Sequence, residues 1–218
     1  MTIELMIFLI IGTAAMGIPI LLVSKRYDIA WWKSIALTIL LTISGTCGTV
    51  LMFFVENHSF GGRSFFGAVF FVPVLFILIS RVLRISYTDA VDLCAVGECI
   101  MLALMKIHCM MGGCCVGRIL YTTASGTALL FPSRSAELLS ALVIFTVLLR
   151  WALNQKHRGA LYPLYLIIYG SVRFILNCFR QEWVTTSMWI PFGNIWAMVA
   201  IIVGLIWLKK QRKSAFVI

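Results

Sequence analysis

Charge is what this sequence has least of. Asp, Glu, Lys and Arg make up only 12% of its 218 residues, and eight residues in all are acidic. Soluble domains carry about 25% charged and about 45–50% apolar residues, so a hydrophobic content of 61% excludes a water-soluble fold. Long polar stretches, internal repeats, linkers and low-complexity segments are also missing, and one membrane domain over residues 1–218 is expected. No CxxC pair and no zinc-finger spacing occurs among the seven Cys, so no metal and no other cofactor is expected, and the thiols read first as small hydrophobes.

What is present is a succession of apolar stretches of the length needed to cross about 30 Å of hydrocarbon as helix. The first, Leu5 to Val23, has Glu4 before it and Lys25 and Arg26 after it. That order is the reverse of a secretory signal and predicts an uncleaved span. Charges, Gly and Pro divide the chain into about seven transmembrane helices, at 4–24, 29–55, 65–83, 89–111, 135–153, 159–179 and 188–208, in an all-α polytopic bundle. The connection 112–134 is expected to have irregular backbone, because it holds Gly112, Gly113, Gly117, Gly126 and Pro132.

Lys and Arg favour cytoplasmic loops. An outside N-terminus and a cytoplasmic C-terminus put twelve of the eighteen cations inside: Lys25, Arg26, Lys33, Arg81, Arg84, Arg150, Lys156, Arg158, Lys209, Lys210, Arg212 and Lys213. Anionic lipid accounts for these, and no nucleic-acid partner is implied. The remaining six, Arg63, Lys106, Arg118, Arg134, Arg173 and Arg180, fall at outer helix ends or after the fourth helix, where the acidic residues are Glu56, Glu137 and Glu182. Cations placed against the insertion bias point to an anionic ligand, and a phospholipid phosphate suits paired guanidinium donors.

Tyr169, Arg173, Asn177 and Arg180 recur at spacings of 4, 4 and 3, which predicts a polar face on the sixth helix. Such a stripe must meet protein or a water-filled cavity. At the exit of the fourth helix, His108 is a candidate proton acceptor, and Cys109, Cys114 and Cys115 lie in the same segment, where with His108 they could hold a soft metal although their spacing matches no standard zinc site. Glu98 is an intramembrane carboxylate, and Glu137 stands where a carboxylate suits a helix N-terminus.

These residues resemble the prolipoprotein diacylglyceryl transferases of bacteria. Tyr169-Gly170-Ser171-Val172-Arg173-Phe174 followed by Phe179-Arg180-Gln181 is similar to the family's Tyr-Gly-x-x-Arg and Phe-Arg-Gln. The segment from Asp92 through Lys106, His108, Cys109, Gly113 and Gly117-Arg118 resembles its Gly-Arg-x-Gly-Asn-Phe signature, and Pro132, Ser133 and Glu137 match Pro-Ser-Gln-x-Tyr-Glu. Phe192-Gly193-Asn194-Ile195 looks like the segment that opens the last helix. Phe66 stands where the family has a histidine, Lys106 replaces the signature arginine, and Cys109, Gly112 and Cys114 replace two asparagines and a glutamate, as in a divergent Gly-Cys-Cys branch.

The resemblance implies a multi-pass enzyme of the bacterial plasma membrane that moves the diacylglyceryl group of phosphatidylglycerol to the lipobox cysteine of a prolipoprotein. His108, Arg173 and Glu137 would carry catalysis, while Lys106, Arg118, Arg134, Tyr169, Asn177 and Arg180 would bind the phospholipid. A transferase with another acceptor, a thiol-disulfide membrane protein, and a non-catalytic lipid binder or transporter are the alternatives.

Overall fold

The computed structural model describes residues 3–180 and 190–215. Gln181, Glu182, the expected start of the seventh helix at 188–189 and the side chains of Arg212 and Lys213 lie outside the described residues. Among the described residues the helices are α1 (Ile3–Arg26), α2 (Trp31–Asn57), α3 (Phe66–Leu83), α4 (Tyr87–Met111), α5 (Ser133–Leu153), α6 (Leu161–Asn177) and α7 (Phe192–Ala215). Five contain segments long and apolar enough to cross a membrane: Met6–Arg26, Trp31–Asn57, Phe66–Leu83, Ser133–Leu153 and Phe192–Gln211. Of the other two, α6 is apolar but has 17 residues, and α4 carries Asp89, Asp92, Glu98 and Lys106.

Those charges are tolerated because α4 is the central post, packed against α1, α3, α5 and α6. Every residue from Ala90 to Cys99 is buried, so no face of that stretch meets lipid or water. The outer helices show the opposite pattern, with Ile18, Leu78, Leu139 and Ile206 all more than 60% exposed. A bundle with apolar side chains on its outside fits hydrocarbon as its solvent.

Close helix approach comes from small residues. A Cβ on Gly67 of α3 would lie 1.9 Å from the Gly48 carbonyl oxygen of α2, so these helices cross at bare backbone. Asp92 does the same kind of joining by charge. Its carboxylate accepts the backbone N–H groups of Gly159, Leu161 and Tyr162, which fastens the N-terminus of α6 to α4.

The connection after α4 departs from the expected irregular backbone. It contains an antiparallel pair, β1 (Ile119–Thr122) and β2 (Ala128–Leu130), with Thr122 opposite Ala128 and a register irregularity between Ile119 and Tyr121. Ile119, Leu120, Tyr121 and Thr122 are strand formers, and Gly126 at φ +82° supplies the turn. One helix end also differs, and the polar stripe on another helix is shorter than expected. The last helix runs on through its basic run to Ala215, where cations suit the C-terminal dipole. The sixth stops at Asn177, so Arg180 lies beyond the stripe, and its backbone bridges Gly117 instead.

Candidate active site

Glu137 lies about one turn into α5 and is 3% exposed. Lys106 from α4 and Arg173 from α6 both form ion pairs with its Oε2. The sequence-based role at a helix N-terminus is therefore replaced, since the carboxylate serves two cations and the α5 N-cap, Pro132, has no side-chain cap bond. Two cations on one carboxylate oxygen leave this buried point positively charged, and Arg180 adds its field to the same carboxylate. Burying charge is expensive unless it is paired, so the cluster holds its members in fixed positions.

Tyr169 stands one turn before Arg173 and is buried against Phe65, Phe66 and Tyr165, with ring centroids 5.7, 5.6 and 5.5 Å away. Its hydroxyl has no hydrogen-bond partner among the described residues. Phe66, which occupies the histidine position of the resemblance, thus forms part of an aromatic wall. The Asn177 amide, also without a hydrogen-bond partner among the described residues, sits against Gly193, where a Cβ would approach its Nδ2 to 2.9 Å.

Next to this cluster is a cavity of about 680 Å³. Apolar side chains of α1, α2 and α4, among them Leu9, Leu41 and Leu104, line its length, while Arg63, His108, Arg180 and the thiols of Cys109, Cys114 and Cys115 come from helix ends and loops. His108 packs edge-on against Phe8, with centroids 4.9 Å apart. Thr42, Thr46 and Thr49 also line the cavity. Sequence reasoning missed them, although their spacing of 4 and 3 is a polar stripe of the same kind as that on α6.

Arg118 and Arg134 act elsewhere. The Arg118 guanidinium lies over the Phe179 ring, 5.1 Å from its centroid. Arg134 donates to the carbonyls of Gly113 and Cys114, which braces the turn after α4. The structure therefore brings together Lys106, Glu137 and Arg173, sets His108 and Arg180 on the adjacent cavity, and gives Arg118 and Arg134 contacts that shape the surrounding loop.

In that turn, the hydrogen bond shared with Cys109 holds the Cys115 thiol below the usual thiol range, against burial, and the charges of Lys106 and Arg180 act in the same direction. Glu98, midway along α4, also lines the cavity. It accepts a hydrogen bond from the Tyr162 hydroxyl at 3.2 Å, and that hydroxyl lies 2.9 Å from the Val69 carbonyl.

Comparison with known proteins finds similar sequences of one kind. A phosphatidylglycerol–prolipoprotein diacylglyceryl transferase of Ehrlichia ruminantium (strain Welgevonden) is 22% identical over 216 residues, covering 88% of this chain and 82% of that protein. Its counterpart in Teredinibacter turnerae is 25% identical, covering 94% and 79%, and that of Idiomarina loihiensis is 26% identical, covering 86% and 76%. The family profile described as prolipoprotein diacylglyceryl transferase matches residues 4–209. With nearly the whole chain matched, this membrane-helix protein belongs to the prolipoprotein diacylglyceryl transferase family.

Proposed function

We propose that the protein transfers the diacylglyceryl group of phosphatidylglycerol to the sulfhydryl of a lipobox cysteine in a prolipoprotein, at the outer face of a bacterial plasma membrane. The observation that carries this is the two-part character of the cavity. Arg63, His108 and Arg180 meet a wall of apolar side chains from α1, α2 and α4, a combination that suits a ligand with an anionic head and acyl chains.

In the reaction, the acceptor sulfur forms a bond to the glyceryl carbon as that carbon's bond to the phosphate oxygen breaks, and glycerol phosphate leaves. The thiol proton passes to His108 on the cavity wall. Arg180 on the cavity wall, together with Arg173 of the adjacent Glu137 cluster, stabilises the charge gathering on the departing phosphate, and Glu137 fixes Arg173 and Lys106 in place. Tyr169 and Asn177 offer uncommitted polar groups along the same face, while Arg118 and Arg134 maintain the loop that closes the site.

The orientation has the N-terminus outside and the C-terminus in the cytoplasm. Lys33, Arg84, Asp89 and Arg158 gather at the opposite end of the bundle, where Lys33 donates to the Arg84 carbonyl and Arg158 pairs with Asp89 at 3.0 Å. That basic end suits the cytoplasmic leaflet. The test incubates purified protein with labelled phosphatidylglycerol and a lipobox peptide. Lipidated peptide and glycerol phosphate in equal amounts are expected. Folded protein that yields neither excludes this function and leaves a lipid-binding role.

A further inference from the structure

Three thiols meet where α4 ends. The Sγ atoms of Cys109, Cys114 and Cys115 all lie within 4.8 Å of one another, and those of Cys109 and Cys115 are 3.9 Å apart. Residues five and six positions beyond Cys109 return to it because the turn is tight. Gly113 has φ +73° and Cys115 has φ +61°, a left-handed backbone that a residue with a Cβ adopts only where its surroundings enforce it. The enforcement comes from α5: Arg134 donates to the Gly113 and Cys114 carbonyls, and Ser133 Oγ donates to the Cys115 carbonyl at 2.8 Å.

Thiolates bind a tetrahedral Zn²⁺ at about 2.3 Å, which sets neighbouring sulfurs about 3.8 Å apart. The Cys109–Cys115 separation fits one edge of such a site without rearrangement, and all three cysteines line the cavity. We propose that Cys109, Cys114 and Cys115 bind a thiophilic d¹⁰ cation such as Zn²⁺, leaving its fourth coordination position open to the cavity. Binding exchanges three S–H bonds for three metal–sulfur bonds and releases three protons. The resulting group carries one net negative charge, within the fields of the Lys106 and Arg180 cations that act on Cys115. Braced carbonyls around the ligands supply the outer support such sites need. A Cys109–Cys115 disulfide would leave Cys114 without a role in the cluster. The absence of a CxxC pair and of zinc-finger spacing predicts no metal, but the left-handed turn brings these three sulfurs within 4.8 Å of one another.

Under the transferase function proposed above, on which this further step rests, the open position takes the acceptor sulfhydryl. A metal–sulfur bond forms as the thiol proton passes to His108 on the same cavity wall, and the acceptor is held as thiolate.

The test titrates reduced, full-length protein in lipid nanodiscs with Cd²⁺, a d¹⁰ reporter of thiolate ligation, followed by competition with Zn²⁺. Thiolate-to-metal absorption should saturate at about one ion per chain, give way to Zn²⁺, and vanish in Cys109→Ser/Cys114→Ser/Cys115→Ser. Cys114 is exposed, so Cys114→Ser alone keeps the fold and should weaken Cd²⁺ binding at least 10-fold if the triple variant fails to accumulate. A lipobox peptide should shift the absorption, and its Cys→Ser analogue should not. Absent absorption in the reduced protein, or equal absorption in the Cys variants, overturns the site, and an unresponsive spectrum with peptide overturns the acceptor step. Metal binding without lipid transfer counts only against the transferase function, whereas transfer with no metal bound counts only against this site.

Discussion

Arg173 on α6 pairs with Glu137 on α5 through the same carboxylate oxygen that Lys106 of α4 contacts. Three helices are thereby tied at one buried point beside the cavity. Removing the carboxylate leaves the buried Lys106 and the largely buried Arg173 without their partner, and breaking a buried ion pair costs about 3–5 kcal/mol. Glu137→Gln should therefore lose stability by about that amount, read from denaturation in detergent micelles. Lys106→Met leaves the Arg173–Glu137 pair intact, so its stability should stay within about 1–2 kcal/mol of wild type.

Arg173→Lys keeps a cation opposite Glu137 but removes the forked donor set that matches phosphate oxygens. Melting behaviour should change little. Transfer activity should fall by about 10-fold or more, the scale of one lost hydrogen bond to a charged group. A lysine variant with full activity would show that charge alone suffices.

Asp92 accepts three backbone N–H groups at the start of α6 and is fully buried. Asp92→Ala leaves those donors without their acceptor, at about 1–3 kcal/mol for each group left unsatisfied. Lower thermal stability is expected, with hydrogen exchange rising first at residues 159–162. Unchanged protection there would mean that α6 is held by other contacts.

The orientation can be read chemically. Ser125→Cys, in the turn between β1 and β2, should react with a membrane-impermeant maleimide added to intact cells. Gln155→Cys, between α5 and α6, should react only after permeabilisation, with mass spectrometry separating both from the native thiols. The reverse pattern would invert the topology.

The helical architecture was legible in the sequence because hydrocarbon imposes a length and a composition on each span, so α1, α2, α3 and α5 fall within about three residues of their expected positions. The hairpin of residues 119–130 was less legible, since its short strands are exposed and leave no hydrophobic alternation with a buried face. At the site, Tyr169, Arg173 and Asn177 recur one turn apart along α6, the helix that their spacing predicts. Charge counting alone did not reveal how the outer cations divide. Glu137 takes Lys106 and Arg173, while Arg134 turns to carbonyls at Gly113 and Cys114, and these choices depend on how α4 and α5 are placed in space. The convergence of Cys109 with Cys114 and Cys115 depends likewise on a left-handed turn that residue spacing does not encode.

Phosphate recognition by cations at the external end of the bundle is the central claim. Its most direct measurement compares wild type with Arg173→Ala, at equal amounts of folded protein in nanodiscs, for transfer from labelled phosphatidylglycerol to a lipobox peptide. Wild type should release glycerol phosphate and lipidated peptide together, and the variant should be slower by about 10²–10³-fold, the usual cost of removing a donor aimed at developing charge. A variant as fast as wild type would contradict the account.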